Sequence, residues 1–380
     1  MPLACSARIP EHATRRTALG DGVLTNTDLR SFDVIELTNE MPVHRNGGVG
    51  TVVEGLMTGL AYAGLRVLWF LTDHKYSPSQ VRQVLDLFPN VAAGSSDDLK
   101  GFDAPVVHVH AYQQNPALHK YLKSQRTVTT IHSLLALEEA SNDVDLAGAT
   151  QMQEALIALS TCVVLVSQAE RRCYSELGYD SLNANTRVVH NGLADPRSFR
   201  APRSKHWLGF CGRLVPRKHP EYVQLVLNEP GFENGSALIA GRGFSTYAKN
   251  LLRRQGLNSR VRFLGWCAGA RLEAYFDAVD VLAMPSIYEP FGLVALEAMA
   301  RGIPVVGTPV DGLVEVLGEN AFYSRDVTYP AFRTAMEAWL AATDEELAEM
   351  ARSARARYEA SFTDVAMGER YGHLFEDLTA

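Results

Sequence analysis

The chain has 380 residues, of which 47% are hydrophobic and 21% are charged. This length suggests two domains, and this composition excludes a disordered chain. The chain carries 36 basic and 43 acidic residues, so its net charge is −7. An acidic balance argues against a general nucleic-acid binder, which needs a basic field that matches the phosphates.

The five cysteines form no C-x-x-C pair and show no metal-ligand spacing. Cys162, Cys211 and Cys267 lie in or beside apolar runs, so we expect reduced core residues and a cytoplasmic location. Residues 1–30 are polar and lack the apolar region of a signal peptide, and we expect them to form an N-terminal extension. The longest apolar stretch, 155–166, is too short to span a bilayer.

Short apolar runs alternate with amphipathic stretches along the chain, which predicts βα units and parallel sheets. In the first half, strands are predicted at 33–37, 66–70, 106–110, 127–131, 162–166 and 187–190. A basic segment rich in turn-forming residues follows at 191–204 and predicts a linker. In the second half, strands are predicted at 206–211, 237–240, 261–264, 281–284 and 304–307.

The sequence therefore predicts an α/β protein with two Rossmann-like domains, at 31–198 and 199–363. Residues 364–380 are expected to form a separate C-terminal helix, with Thr363 or Asp364 as its N-cap. Open α/β sheets bind ligands at the carboxyl ends of their strands. Functional motifs should therefore come directly after predicted strands.

The segment 287–306 follows the predicted strand 281–284. Pro290 suits the first turn of a helix, which should end near Gly302. Free amides at the start of a helix bind anions, so we expect an anion site there. The amides of this site belong to Phe291, Gly292 and Leu293.

Glu289 and Glu297 flank this helix start. Eight residues along a helix span about 12 Å, whereas the two acids of a glycosidase lie roughly 5–9.5 Å apart. The two carboxylates therefore fit better as hydroxyl acceptors, one for a sugar and one for a ribose. The competing interpretation is a capped, solvated helix with a surface glutamate.

A second motif, 210–221, follows the predicted strand 206–211. Gly212 permits a tight turn, and Arg213 and Lys218 are expected to project from the loop. Arginine offers a planar fork for phosphate oxygens and lysine a point charge. An enzyme that releases a nucleoside diphosphate without a metal needs such cations. A solvated basic loop is the alternative.

Two further patterns lie in the first half. The loop with Arg45, Gly47 and Gly48 can approach a ligand closely, although its glycine spacing does not match G-x-G-x-x-G and a structural turn explains it equally well. His110 and His132 follow strands and should face one cleft, whereas His108 is expected to be structural.

Together these motifs resemble the retaining GT-B glycosyltransferases, in particular glycosyltransferase family 4. The segment from Glu289 to Glu297 resembles the family's E-x7-E element, and Gly212 to Lys218 resembles its diphosphate-binding loop. His132 resembles the histidine near the transferred sugar. The Asn191-Gly turn, the F-L-G-W element from Phe263 and the segment 307–315 also occur in family order, so the resemblance extends from about residue 33 to the C-terminus.

The resemblance implies a GT-B fold in which the C-terminal helix, 364–380, packs back on the first domain. It also implies transfer from a nucleotide sugar with retention, without a metal or other cofactor. UDP, GDP and ADP sugars all remain open as donors. Glu289 and the amides from Phe291 to Leu293 would hold the donor sugar, and Glu297 would bind the ribose. His132 would orient the sugar, and the remaining catalytic candidates, Arg213 and Lys218, would stabilise the departing diphosphate.

The glycine loop also resembles the K-x-G-G element of glycogen and starch synthases, with Arg45 in place of the lysine. The acceptor is then expected to enter over Gly47 and Gly48, near His110. Two positions depart from family 4. His219 stands where glycine is frequent, and Asp311 precedes Gly312 where a glycine pair is common.

The helix after the glycine loop is nearly uncharged, which favours a soluble acceptor over a membrane-bound one. A small metabolite, such as a natural-product scaffold, is the first expectation and a growing glycan the second. One alternative function is a disaccharide phosphorylase of the same architecture, which would leave Glu297 without a ribose to bind. Another is a glycan- or nucleotide-binding protein without catalysis.

Overall fold

The structure, a computed structural model, describes residues 16–19, 22–25, 31–44, 47–72, 74–110, 116–142, 145–196, 198–200, 205–243, 246–255 and 259–380. It contains two parallel sheets with helices packed on them, which confirms the predicted α/β class of two Rossmann-like domains. A short antiparallel hairpin, β1 (Arg16–Leu19) and β2 (Gly22–Thr25), precedes both sheets.

The first sheet has seven parallel strands in the order β5-β4-β3-β6-β7-β8-β9. These are β3 (Val34–Thr38), β4 (Val67–Leu71), β5 (Val91–Ala93), β6 (Val106–His110), β7 (Thr127–Ile131), β8 (Cys162–Leu165) and β9 (Thr186–Val188). The central strands are buried along their whole length, because helices cover both faces of the sheet. The sequence does not predict β5, since three residues are too few for a periodic pattern.

In the described part of this domain, six α-helices accompany the sheet: α1 (Gly48–Tyr62), α2 (Pro78–Leu87), α3 (Pro116–Leu122), α4 (Leu135–Asn142), α5 (Ala147–Leu159) and α6 (Gln168–Glu176). The best defined start is that of α2, where the Ser77 and Gln80 side chains cap each other's backbone amides.

The second sheet has six parallel strands in the order β12-β11-β10-β13-β14-β15. These are β10 (Trp207–Cys211), β11 (Ser236–Ala240), β12 (Val261–Gly265), β13 (Val281–Met284), β14 (Val305–Gly307) and β15 (Phe322–Tyr323). Its helices are α7 (Glu221–Val226), α8 (Thr246–Gln255), α9 (Ala270–Ala278), α10 (Leu293–Ala300), α11 (Asp311–Leu317), α12 (Tyr329–Ala341) and α13 (Asp344–Ser361).

The last helix, α14 (Asp364–Thr379), follows the second sheet in sequence but packs against α1 of the first. Thr363 caps it by accepting a hydrogen bond from the Ala366 amide. The helices approach closely at two glycines, because a Cβ on Gly368 would lie 2.0 Å from the carbonyl carbon of Gly59. The chain therefore crosses between the sheets twice.

Within the described ranges, no helix combines the length and the apolar character needed to cross a bilayer.

Candidate active site

The loop from β13 to α10 carries the first predicted motif, but its helix starts later than expected. Gly292 is the N-cap, with φ 92° and ψ 50°, and α10 begins at Leu293. Glycine adopts this left-handed conformation without a Cβ clash. Pro290 therefore lies in the loop, and the prediction that it occupies the first helical turn is wrong.

This change also corrects the spacing argument for the two glutamates. Glu289 lies in the loop and only Glu297 is helical, so the distance along a continuous helix does not separate them. Of the three residues expected to form the anion site, Gly292 and Leu293 stand at the helix start. Phe291 precedes the N-cap, and its buried ring packs against Phe362 with centroids 6.0 Å apart.

Lys218 and Glu289, predicted from separate motifs, form a buried ion pair. The Lys218 Nζ lies 2.9 Å from the Glu289 Oε2, and each residue is 8% exposed. The Ser286 hydroxyl donates to the same oxygen at 3.3 Å. The loop after β10 and the loop after β13 thus meet at the carboxyl end of the second sheet, since these strands are neighbours.

Burial opposes the charge on both partners. It would raise the pKa of Glu289, but the charges of Lys218 and Arg217 outweigh it and lower that pKa below its usual value. Burial lowers the pKa of Lys218, and Glu289 opposes this shift. Each charge therefore depends on the other, and we treat the pair as ionised because the pKa of the carboxylate falls.

Arg217 is a site residue that the sequence does not single out. It is 2% exposed, and its Nη1 donates to the Tyr288 carbonyl oxygen at 2.6 Å. Its own carbonyl oxygen accepts from the Ile287 amide at 2.8 Å. Arg217 therefore joins the loop after β10 to the loop between β13 and α10. The sequence run 217–219 (Arg, Lys, His) does not indicate which of its side chains is buried.

Glu138, on α4 of the first domain, reaches across to the basic loop. Its Oε1 lies 2.7 Å from the Arg213 Nη2 and 3.2 Å from the Arg217 Nη2, and it also accepts from the Ser133 hydroxyl at 2.9 Å. Burial would raise the pKa of Glu138, but the two arginines lower it to about 2. A carboxylate from one domain thus contacts two arginines of the other, of which Arg213 is predicted from the sequence to bind phosphate.

His219, one of the departures from the family pattern, has φ 40° and ψ 48°. Among the residues the structure describes, it is the one non-glycine residue with positive φ. The backbone thus adopts the conformation that a glycine would favour at this position. The His219 ring stacks on Tyr222 with centroids 4.6 Å apart, and Nδ1 lies 2.9 Å from the Glu221 Oε1. The side chain of Asp311, the second departure, lies outside the described part.

More polar contacts join the two domains beside the site. The Tyr288 hydroxyl donates to Glu170 of α6 at 2.8 Å, and the Ser167 hydroxyl donates to the Pro290 carbonyl oxygen at 2.7 Å. Glu315 of α11 accepts from the first two amides of α6, at 2.8 and 2.9 Å. Residues at the N-terminus of α6, in the first domain, therefore hold the loop between β13 and α10.

His110, the last residue of β6, and His132, directly after β7, stand at the ends of neighbouring strands and contact each other. The His110 Nδ1 lies 3.1 Å from the His132 Nε2, and the two rings stack at 19°. The other nitrogen of His110 lies 2.8 Å from the Oε2 of Glu36, in β3. Burial and then the neighbouring rings of His110 and His108 lower the pKa of His132 well below its usual value.

Glu36, His108 and His110 form the one group of three possible metal ligands found among the described residues. All three are fully buried, and both histidines are hydrogen-bonded to the carboxylate. A metal ion would have to replace these bonds.

The glycine loop leads into α1 and lies against the start of α10. Gly47 is the N-cap of α1, and the Glu40 carboxylate accepts from the amides of Gly47 and Gly50 at 3.1 and 3.0 Å. A Cβ on Gly48 would lie 2.9 Å from the Leu293 Cδ1, so the starts of α1 and α10 face each other. Arg45 lies outside the described residues.

Glu297 is 9% exposed and lies on α10 beside the end of β10. Burial, followed by the Glu297 carboxylate, raises the pKa of the Cys211 thiol. Glu297 is thus close to Cys211, the last residue of β10, after which the loop with Arg213 and Lys218 begins.

Two family models match consecutive parts of the chain. Residues 46–195 match the model described as Glycosyltransferase Family 4, and residues 194–357 match Glycosyl transferases group 1. The chain is thus similar to the group 1 and family 4 glycosyltransferases, and each of the two models covers less than half of it.

Curated relatives agree with this family. An uncharacterized glycosyltransferase of Methanocaldococcus jannaschii is 30% identical over 235 residues, which cover 56% of this chain and 59% of the relative. The D-inositol 3-phosphate glycosyltransferase of Corynebacterium efficiens is 28% identical over 328 residues, with 72% and 77% covered. The match thus spans less than two thirds of the first of these relatives.

Solved structures share the fold of this chain, which is of the GT-B type. Sucrose-phosphate synthase from Thermosynechococcus elongatus has a TM-score of 0.70 at 20% identity, over 91% of this chain and 99% of that one. HepE from Anabaena, solved with UDP and glucose, has a TM-score of 0.68 at 18% identity, over 91% and 99%.

Proposed function

We propose that this glycosyltransferase moves a sugar from a nucleotide-sugar donor to a hydroxyl acceptor, with retention of the anomeric configuration and without a metal. The observation that carries the proposal is the buried ion pair between Lys218 and Glu289, with Arg213 and Arg217 beside it. This cluster lies at the carboxyl ends of two neighbouring strands, where open α/β sheets bind their ligands.

The cations stabilise the leaving group in this mechanism. As the bond between the anomeric carbon and the phosphate oxygen breaks, its electron pair leaves with the diphosphate. Arg213, Lys218 and the buried Arg217 neutralise that charge, and preorganised charges of this kind supply a large part of the rate enhancement in enzymes. Glu289 accepts hydrogen bonds from hydroxyls of the donor sugar, with the amides of Gly292 and Leu293 beside it.

The acceptor oxygen bonds to the anomeric carbon on the face that the diphosphate leaves. Its proton passes to the departing phosphate oxygen, so no enzyme nucleophile is required. Glu297 binds the ribose, and His132 contacts the donor sugar. The acceptor approaches from the first domain, past Gly48 and His110.

Solved structures with a similar fold support a nucleotide-sugar donor without selecting the base. HepE from Anabaena is solved with UDP and glucose, and starch synthase IV from Arabidopsis thaliana with ADP and acarbose. We therefore keep UDP, GDP and ADP sugars as candidate donors.

For the acceptor, we propose a small soluble hydroxyl compound. Several curated relatives are named D-inositol 3-phosphate glycosyltransferases, which makes a polyol phosphate the first compound to test. Glu54 is the one charged residue of α1, so this helix offers no basic face for an anionic membrane surface. A natural-product scaffold and a growing glycan remain further candidates.

A thermal-shift screen of nucleoside diphosphates and their sugars, with EDTA present throughout, tests the donor proposal. A ligand that binds only the folded state raises the unfolding midpoint. The best donor is then incubated with a panel of polyol phosphates, scaffolds and oligosaccharides, and the product's anomeric configuration is read by proton NMR. Inversion, a strict metal requirement or a screen without any stabilising nucleotide would contradict the proposal.

A parallel incubation of disaccharides with inorganic phosphate tests the phosphorylase alternative. Phosphate-dependent cleavage, with no response to nucleotides, would replace the proposed function. Binding without turnover across the whole panel would favour a non-catalytic protein.

A further inference from the structure

A continuous chain of hydrogen-bonded side chains crosses the interior of the first domain and ends at His132. At its centre is Glu36, in the middle of β3. The Glu36 Oε2 lies 2.8 Å from the His108 Nδ1 and 2.8 Å from the His110 Nε2. All three side chains have no exposed surface. A charged residue is costly at such a site unless its hydrogen bonds are complete.

The order of protons along one branch follows from the chemistry of these groups. Burial would raise the pKa of Glu36, but the two histidines lower it to about 2, so the carboxylate is ionised and can only accept. A neutral imidazole carries one N–H. If the His110 Nε2 donates to Glu36, its Nδ1 must accept.

The next bond extends this order to the active site. The His110 Nδ1 lies 3.1 Å from the His132 Nε2, so His132 donates through Nε2. The Nδ1 of His132 is then left without a proton. Within the described ranges that nitrogen makes no hydrogen bond, and His132 retains some exposed surface.

The second branch runs the other way from Glu36 and ends in the last helix. The His108 Nε2 lies 2.7 Å from the Thr130 hydroxyl, which lies 2.8 Å from the Tyr371 hydroxyl on α14. By the same rule, Tyr371 donates to Thr130 and Thr130 donates to His108. Both branches are thus satisfied by the single negative charge of Glu36.

We propose that Glu36 and His110 are positioning residues that hold His132 in its Nε2–H tautomer, so that the His132 Nδ1 accepts a hydrogen bond from a substrate hydroxyl. The tautomer follows from the contacts of neutral imidazole rings, whereas the hydroxyl partner rests on the proposed function. The low pKa of His132 agrees with this role, because only a neutral ring can accept. A His110 ring protonated on both nitrogens would instead donate to His132, which would reverse the direction of that hydrogen bond.

NMR of the full chain with 15N-labelled histidine tests the tautomer directly. A spectrum of His132→Gln identifies the His132 signals among those of the 11 histidines. The wild type should show a protonated Nε2 and an unprotonated Nδ1 at His132. The opposite pattern would overturn the proposal, and so would stoichiometric zinc in the purified protein, because it would ligate the nitrogens assigned here as donors.

Two matched variants separate positioning from structural support. His110→Phe keeps an aromatic ring next to His132 but removes the acceptor nitrogen. It should give a mixture of His132 tautomers and lower kcat roughly 10- to 100-fold, with KM within about threefold, because a reacting group is no longer oriented. Tyr371→Phe removes one buried hydroxyl from the far branch, and it should leave the His132 spectrum and kcat unchanged.

Glu36→Gln extends the test one residue further, because the amide replaces one of the two accepting oxygens by a donor, and the His108 Nδ1 lies within 3.0 Å of both oxygens. The single tautomer of His132 should then be lost. An unchanged His132 spectrum in His110→Phe, or equal losses of kcat in His110→Phe and Tyr371→Phe, would overturn the proposal. If no donor is turned over, the proposed function fails while the wild-type spectrum still decides the tautomer.

Discussion

The Glu138 carboxylate of the first domain accepts a hydrogen bond from the Arg213 guanidinium of the second domain at 2.7 Å. The same oxygen lies 3.2 Å from Arg217. Glu138 is thus hydrogen-bonded to the two arginines that we assign to the diphosphate of the donor. A bound diphosphate and Glu138 would compete for these donors.

Glu138→Gln should therefore bind nucleoside diphosphates more tightly. Loss of one charge-assisted hydrogen bond, worth about 1.5 kcal/mol, predicts roughly tenfold tighter binding. Isothermal titration with the nucleotide found in the screen measures this change. Glu170→Gln is the control, because Glu170 also crosses between the domains but bonds the Tyr288 hydroxyl. Weaker binding by Glu138→Gln would show that the carboxylate orders the arginines for the ligand instead of competing with it.

Lys218→Met and Glu289→Gln should each lower kcat by about 100-fold or more, because each removes a charge or a hydroxyl acceptor at the reacting bond. Each single variant also removes one partner of a buried ion pair, which costs up to about 3–5 kcal/mol of folding free energy. The double variant should recover most of that stability while turnover stays low. Urea unfolding and initial rates measure the two effects. A double variant as unstable as either single one would speak against an ionised pair.

Gly368→Ala should destabilise the protein by about 2 kcal/mol or more, because the new Cβ would lie 2.0 Å from the backbone of Gly59. Gly372→Ala on the same helix is the matched control. Its Cβ would meet Ala63 at 3.6 Å, an ordinary contact, so the helix should gain about 0.5–1 kcal/mol. Urea midpoints compare the two variants. Equal shifts would mean that α14 does not pack tightly on α1.

Folding stability should fall at acidic pH in two steps. His108 has a lowered pKa, caused first by burial, so the unfolded chain binds its proton first, and stability declines as pH falls below about 6.5. Glu36 and Glu138 have a pKa of about 2, so each contributes stability above about pH 4.5 that is lost as pH falls towards 2. Urea midpoints from pH 7 to 3 measure both. Glu138→Gln should flatten the second step, and an unchanged slope would contradict the assignment.

His219→Gly should be more stable than His219→Ala by about 1 kcal/mol or more. Both variants lose the contact with Tyr222, but only alanine keeps a Cβ in the left-handed conformation at φ 40°. Thermal unfolding of the pair isolates the backbone effect. An alanine variant as stable as the glycine variant would mean that the turn relaxes.

Most of the fold could be predicted from the sequence, because buried parallel strands are apolar runs whose ends are marked by turn residues. The predicted strands at 106–110, 127–131 and 281–284 have the bounds of β6, β7 and β13. The start of α10 was predicted wrongly. Proline at a helix start is a local preference, whereas the left-handed Gly292 depends on how the loop packs.

The candidate site could be predicted only in part. Lys218 and Glu289 follow neighbouring strands of the second sheet, and His110 and His132 stand at the ends of neighbouring strands of the first, so position in the chain was enough to bring each pair together. Glu138, Arg217 and Glu36 carry no such signal, except that Glu36 interrupts an apolar strand. Their partners lie up to 79 residues away in sequence, as for Arg217 and Glu138.

The sequence by itself determined the class of fold and the ends of strands at which chemistry occurs, because periodicity and turn residues act over a few neighbours. The tertiary structure decided which charges face each other across the two domains. It pairs Glu138 with Arg213, encloses Lys218 with Glu289 and joins Glu36 to His132 through His110. The energy of a buried charge depends on partners from other elements, and only the folded chain brings these partners within hydrogen-bond distance.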